Sequence, residues 1–255
     1  MCTLTLAWQV FDEAPVAVAA NRDEALERES LPPDVYREGP RVVAPRDAEA
    51  GGTWIGYNEF GVFAGITNRW GDADLAGDRS RGLLVADALE ARSAADAAAI
   101  VEEEIDAREY EGFYLVIADE TDALCYEWNG TLERTGFDPG VHVVVNVAVD
   151  DDARIPELRP DAAREQAANA RRVRRELAAE SGETAAEWLE RAGTVLGDHE
   201  YGVCIHRNGF GTRSSSLIAL GERTRYAFAP GPPCETDYEP VAVGSDPLEE
   251  REGHI

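Results

Sequence analysis

The sequence predicts an α+β layered fold in which two β-sheets pack face to face with helices on their outer sides. Three observations lead there. Strand-like runs come in groups, helical stretches fall in pairs between those groups, and no strand–helix junction carries a Gly-x-Gly-x-x-Gly or Walker A loop. Hydrophobic residues make up 44% of the 255 positions, enough for one sizeable core. A single domain is therefore expected over residues 1–235, followed by an acidic, proline-bearing extended tail over 236–255.

Taken in order, Thr3 to Phe11 has the apolar character of a buried strand. Asp12-Glu13-Ala14-Pro15 makes the turn, and Val16 to Ala20 is the antiparallel return, which delivers Asn21-Arg22-Asp23-Glu24 to the level of Cys2. Ala25 to Arg41 is polar, contains Pro32-Pro33, and reads as a loop. A second hairpin follows Gly51-Gly52, with strands near Thr53–Tyr57 and Gly61–Ile66, and ends at Thr67-Asn68-Arg69-Trp70. One helix is expected over Ser80–Ala91. Ser93 then caps another whose Ala94, Ala98, Val101 and Ile105 share a face. Strands return at Gly112–Ala118, Ala123–Trp128 and Thr131–Thr135, the last two joined by Asn129-Gly130. Val141–Val147 is mostly apolar and contains one buried-looking amide, Asn146. A long helix spans Pro160–Ala179, with Ala163, Ala167, Ala170, Val173 and Leu177 at helical spacing. Thr184 and Glu187 form a capping box for a helix through Leu196. Strands near Val203–Arg207, Ser215–Leu220 and Thr224–Ala229 close the domain.

Charge narrows the function classes. The net charge is −26, and all 24 basic residues are arginine. Such a surface repels nucleic acid and anionic membranes. A lysine-free, acidic yet apolar-patterned chain suits a salt-rich cytoplasm, where ions screen its self-repulsion. Loss of the circular dichroism signal on dilution into low salt is the expected outcome, and an unchanged signal would oppose it. No apolar run approaches the roughly 20 residues that span a bilayer, and Met1–Glu13 contains no basic residue. A cytoplasmic protein without a leader or membrane insertion is expected. Cys125, Cys204 and Cys234 are scattered, without Cys-x-x-Cys or zinc-type spacing, so reduced thiols and no metal site are expected. Arg164, Arg171, Arg172, Arg174 and Arg175 read as a solvated helix face paired with carboxylates.

Cys2 stands directly behind Met1. Removal of Met1 would give Cys2 a free amine of pKa roughly 7.7–8.0, fit to act as base for its own thiol. Asn21-Arg22-Asp23-Glu24 follows an apolar strand, Asn68 closes another, and Asn146 interrupts a third. Gly211-Thr212-Arg213-Ser214-Ser215-Ser216 reads as a bend that holds an anionic or carbonyl group or simply turns the chain.

Cys2, Asn21-Arg22-Asp23-Glu24, Gly51-Gly52-Thr53-Trp54, Asn68, Arg81-Gly82 and Gly211-Thr212-Arg213-Ser214-Ser215 together resemble the NRDE family, also called the transport and Golgi organisation 2 family. That family resembles the N-terminal-nucleophile hydrolases of the choloylglycine hydrolase and penicillin V acylase group. The implied fold is a four-layer αββα sandwich. In those hydrolases the N-terminal Cys is followed by Arg-Asn-x-Asp, which aligns Asn21 and Asp23 but places the arginine on Ala20. Arg22 takes the variable position and, because neighbours on a strand point to opposite faces, need not replace it. Asn58-Glu59-Phe60-Gly61 through Asn68 fits the next hydrolase pattern, and Asn146 stands for a second asparagine.

The resemblance implies Cys2, Asn21, Asp23, Asn68 and Asn146 as catalytic residues, with Arg22 and Arg213 binding substrate. The Cys2 thiolate would attack the carbonyl of a linear amide in a small molecule, with its own amine passing the proton. Asp23 would hold that amine or thiol, while the Asn68 N–H and the Asn146 side chain would stabilise the oxyanion. Arg213 would grip a substrate carboxylate. No cofactor is required. The alternative is a non-catalytic carrier of haem or another hydrophobic ligand on the same scaffold. His142, His199, His206 and Cys204 are its candidate axial ligands, and none lies in a haem motif.

Overall fold

The computed structural model describes residues 2–73 and 75–242. Six strands come first: β1 (Thr3–Phe11), β2 (Ala14–Ala25), β3 (Ser30–Arg37), β4 (Val42–Asp47), β5 (Ile55–Asn58) and β6 (Phe63–Asn68). Helices α1 (Arg81–Ala88) and α2 (Ala94–Ala107) follow. Then come β7 (Phe113–Ala118), β8 (Ala123–Trp128), β9 (Leu132–Gly136), β10 (Gly140–Val145), β11 (Ala148–Val149) and β12 (Asp152–Ala153). Helices α3 (Pro160–Glu176) and α4 (Ala185–Gly197) precede β13 (His206–Arg207), β14 (Phe210–Leu220), β15 (Arg225–Ala229) and β16 (Glu239–Pro240).

Two antiparallel sheets result. The first runs β12-β11-β10-β1-β2-β14-β15-β16, with β13 paired to β14; the second runs β3 to β9 in chain order. Strand alternation divides the core into layers. In the first sheet Ala7, Ala17, Ala19, Val143 and Val145 face α3 and α4, where they meet Ala163, Ala170, Val173 and Trp188. Leu4, Leu6, Val16 and Val18 face inward and meet Phe63, Tyr114 and Val116 of the second sheet. The outer face of the second sheet meets α1 and α2 through Ala64, Leu115, Leu84 and Val101. The product is a four-layer αββα sandwich. Each fully buried Leu or Val in these layers contributes about 1.5–3 kcal/mol of apolar transfer.

The helices start where their caps are. The Ser80 hydroxyl accepts from Gly82 N, Ser93 accepts from Asp96 N, and Thr184 forms a capping box with Glu187. Arg164 and Arg174 on the exposed side of α3 pair with Asp161 and Asp151, each at 2.8–2.9 Å.

Three segments differ from the sequence reading. The stretch from Ala25 to Arg41 contains β3 rather than only loop. Its prolines are tolerated because β3 is a sheet edge and its register against β4 shifts between Leu31 and Asp34, where they sit. The Asn21–Glu24 quartet lies inside β2 instead of following it, because β14 pairs with β2 as far as Ala25. The segment Gly211–Ser216 is likewise strand, and its bend is a register shift between Thr212 and Ser214 that leaves Arg213 outside the ladder. Beyond residue 235, Tyr238 packs against the outer core and bonds Ser215 at 2.7 Å, and β16 pairs with β15. Residues 243–255 of the expected tail lie outside the described residues.

Candidate active site around Cys2

The β1–β2 register sets Thr3 opposite Asn21, so Cys2 sits beside the end of the quartet. Cys2 is half-buried, and its Sγ lies 3.6 Å from the Asp23 carbonyl oxygen. Its backbone N–H donates to Asn146 Oδ1 at 3.1 Å. Asn146 occupies the turn after β10 and joins both sheets, because its Nδ2 donates to the Asn68 carbonyl at 2.7 Å. One Nδ2 hydrogen of Asn146 remains for another acceptor. Gln166, a buried residue of α3, donates to the same Oδ1 at 3.1 Å and fixes the amide orientation.

Asp23 is buried, and its Oδ1 accepts from the Thr212 hydroxyl at 2.6 Å. Burial pushes its carboxyl above the usual range despite that hydrogen bond. Burial likewise pushes the Cys2 thiol up, the Asp23 charge adds to this, and the Arg22 charge opposes it.

Arg22 faces inward. Ala20 and Arg22 are two residues apart and share one face of β2, so Arg22 reaches the inter-sheet space that an arginine at position 20 would address. The alternation noted from sequence separates Arg22 from Asn21 and Asp23, not from position 20. The Arg22 guanidinium lies 4.3 Å from the centroid of the Trp54 ring and 3.5 Å from Asp47, both contributed by the second-sheet half. Burial works against the Asp47 charge, yet Arg28 and the Glu49 and Ala50 N–H groups outweigh it and hold the carboxyl low. Arg22 Nη1 and Ser214 Oγ, set opposite each other in the β2–β14 register, are buried without a hydrogen-bond partner among the described residues. So are Thr67 Oγ1 and Tyr114 OH on the facing strands.

The glycine segments support this corner. Thr53 N donates to the Gly82 carbonyl at 2.9 Å, and a Cβ on Gly52 would stand 2.3 Å from the Gly82 carbonyl carbon. Only glycine at 52 allows this approach, which seats the start of α1 and directs Arg81 to Gly112 O at 3.0 Å and Glu111 at 2.9 Å. Burial, set against the Glu111 and Cys2 charges, leaves the Arg81 guanidinium below its ordinary pKa.

The other expected residues divide. Asn68 places its carbonyl on Asn146, and its side chain is exposed. The Ile66 N–H points to Trp54 O, so by alternation the Asn68 N–H points to the same side, past the start of β5. Asn21 turns away from Cys2 and gives both Nδ2 hydrogens to Leu196 O and Val203 O, at 3.0 and 2.9 Å. Arg213 is half-buried in the β14 bulge, and its Nε has no partner among the described residues. His142 is occupied at both nitrogens, by Asp150 and by Asp138 O, each at 2.8 Å, and is not free to ligate haem. A cavity of about 1220 Å³ lined by Val16, Tyr57 and Tyr226 lies at the turn end of the first hairpin. Val16 is five residues, roughly 17 Å, along β2 from Asn21, so this cavity does not serve Cys2. Gln166 was not singled out from sequence, and Thr212 entered only as part of the Gly211–Ser216 segment, without a role of its own. Gln166 carried a signal, being a polar residue within the apolar face of α3, between Ala163 and Ala170.

A sequence model described as Transport and Golgi organisation 2 matches residues 1–229. The chain belongs to that family. A Transport and Golgi organization protein 2 homolog from Bos taurus is 27% identical over 267 residues, covering 93% of this chain and 92% of the relative. A homolog from Mus musculus is 30% identical over 156 residues, covering 55% and 56%. Among solved structures, penicillin V acylase from Agrobacterium tumefaciens superposes with a TM-score of 0.54 at 16% identity, covering 90% of this chain and 83% of that one. A variant of conjugated bile acid hydrolase from Clostridium perfringens gives 0.59 at 11% identity, covering 96% and 95%. The N-acylethanolamine-hydrolyzing acid amidase ortholog from Caenorhabditis elegans gives 0.56 at 13% identity, covering 85% and 92%. This Transport and Golgi organisation 2 chain therefore has the N-terminal-nucleophile hydrolase fold.

Proposed function

We propose that, once Met1 is removed, this protein is an N-terminal cysteine amidohydrolase acting on a linear amide of a small molecule. The observation that carries the reading is the Cys2 nitrogen held on Asn146 Oδ1 while the Cys2 sulfur lies over the Asp23 carbonyl. The same bond that now engages an amide N–H would orient a free amine beside its own thiol. The likeness of fold to an N-acylethanolamine-hydrolyzing amidase supports the choice of a linear amide.

The reaction proceeds in two stages. The amine takes the thiol proton as sulfur attacks the amide carbonyl. The spare Asn146 Nδ2 hydrogen and the Asn68 N–H stabilise the oxyanion, about 3–4 kcal/mol for one such donor. Collapse breaks the C–N bond, and the leaving amine departs with the proton held by the Cys2 amine. Water then attacks the thioester, giving a carboxylic acid and the free thiol. Asp23 orients the amine, and the cationic Arg22 and Arg81 favour an anionic sulfur or a substrate with a negative group.

Mass spectrometry of the purified full chain comes first, since retained Met1 would defeat the mechanism. The processed chain is then assayed in high salt on a panel of N-acyl amides, against Cys2→Ala. Hydrolysis that is lost in the variant is the expected result. Equal hydrolysis by both proteins would overturn the proposal.

A further inference from the structure

Four metal-ligating side chains converge where the end of α4, the loop into β13 and the segment after β15 meet. The ligand atoms of His199, Cys204, His206 and Cys234 all lie within 4.8 Å of one another. Cys204 Sγ is 3.4 Å from Cys234 Sγ and 3.7 Å from His206 Nε2. His206 Nε2 is in turn 3.0 Å from Cys234 Sγ. The His199 and His206 rings meet edge to face with centroids 5.2 Å apart. A tetrahedral zinc ion with sulfur at about 2.3 Å and nitrogen at about 2.0–2.1 Å sets its ligand atoms roughly 3.3–3.8 Å apart. Three corners already have nearly that spacing. The fourth, His199, is exposed on a short 3₁₀ turn and closes by rotating its side chain.

We propose that these four side chains bind one zinc ion in a Cys₂His₂ site. The donor set selects zinc over magnesium or calcium, which take oxygen ligands. Each thiol S–H breaks on binding, its proton passes to solvent, and two sulfur–zinc bonds form, so the site carries no net charge. Coordination to the divalent cation is what holds both sulfurs as thiolates near neutrality. His206 ligates through Nε2, which leaves the proton on Nδ1.

The backbone around the cluster is held independently of any metal. A Cβ on Gly197 would stand 3.0 Å from Pro233 O, so glycine there lets the segment carrying Cys234 lie against the end of α4. Asn169 of α3 donates to Gly202 O at 3.3 Å, and Asn21 holds Val203 O. Ile205 N donates to the Thr212 hydroxyl, which in turn donates to Asp23. The ion would thus pin the loop whose neighbours on either side of Cys204 anchor the outer wall behind Asp23. Its role is structural, because all four ligands come from the protein.

The test uses the full chain, purified reduced and in high salt without chelator. Elemental analysis is expected to find about one zinc per chain, as a closed four-ligand site binds one ion. After the metal is stripped, titration with Co²⁺ should produce the visible absorption of tetrahedral thiolate–cobalt, saturating at one equivalent and displaced by Zn²⁺. Cys204→Ser should abolish that spectrum, whereas Cys125→Ala, outside the cluster, should retain it. If Cys204→Ser does not fold, the exposed His206→Gln variant should weaken cobalt binding at least about tenfold, the loss that even an outer-shell partner of a ligand causes. Wild-type protein without stoichiometric zinc and without the cobalt spectrum would overturn the proposal. A chain two hydrogens lighter, through a Cys204–Cys234 disulfide, would overturn it equally.

Discussion

Asn21 and Asn58 stand on different sheets, and each turns its amide outward onto the end of a helix. Asn21 donates to Leu196 O at the end of α4 and to Val203 O; Asn58 donates to Leu89 O just beyond α1 and to Ala91 O. Each gives one Nδ2 hydrogen to a carbonyl that a helix end leaves without a partner and the other to a carbonyl of the segment beyond it. Asn146 is equally buried but spends only one hydrogen on the fold, and its oxygen faces the Cys2 nitrogen. Burial alone therefore does not separate a structural amide from a site amide. What separates them is whether any donor is left over and what it faces. On that criterion Asn21, which the hydrolase resemblance marks as catalytic, is proposed to staple α4 to the sheet.

The largest expected effect tests the contrast directly. Asn146→Ala should lower turnover about 10²–10³-fold, the usual loss for one oxyanion donor, with KM changed less than kcat. Asn21→Ala should leave turnover of the folded protein within a few-fold. Equal losses in steady-state kinetics would place Asn21 back in the chemistry. Next in size, Asn21→Ala and Asn58→Ala should each destabilise the fold by about 1–3 kcal/mol, because each strands two buried carbonyls. Denaturant titration in high salt measures both, and a neutral result at either position would break the parallel.

The smallest effect concerns Asp23 in the Met1-bearing chain. Its folded pKa is raised by burial, so the folded state holds the proton more tightly than the unfolded one. That contribution is complete below the unfolded pKa and is lost as pH rises through the folded pKa. Asp23→Asn should therefore melt at a higher temperature than the parent at neutral pH, with the gap closing below about pH 4. Such a cost to the fold is common for site residues. A lower melting temperature at neutral pH would show that Asp23 is held in place by compensating charge.

Much of this was legible in the sequence because short-range patterns encode it. Ser93 and the Thr184–Glu187 box mark helix starts through their own hydrogen bonds, and the Ala163–Leu177 stripe marks the buried face of α3. The placement of Cys2 beside Asp23 followed from hairpin geometry. Strand β3 was hidden because Pro32 and Pro33 oppose a strand everywhere except at an edge, and edge position is a property of the assembled sheet. The convergence of His199, Cys204, His206 and Cys234 was hidden for a related reason. No local spacing records it, since Cys234 arrives only after β14 and β15 have paired and folded back against α4.

The Arg22–Trp54 contact has a consequence for how the protein assembles. Cys2, Asp23 and Asn146 belong to one sheet and its turns, whereas Trp54, Asp47 and Asn68 come with the other. A chain whose sheets had each formed but not yet met would show the nucleophile without its aromatic wall or its Asn68 donor. On the proposed mechanism, competence at Cys2 would then belong to the closed sandwich, in which both sheets contribute to the site.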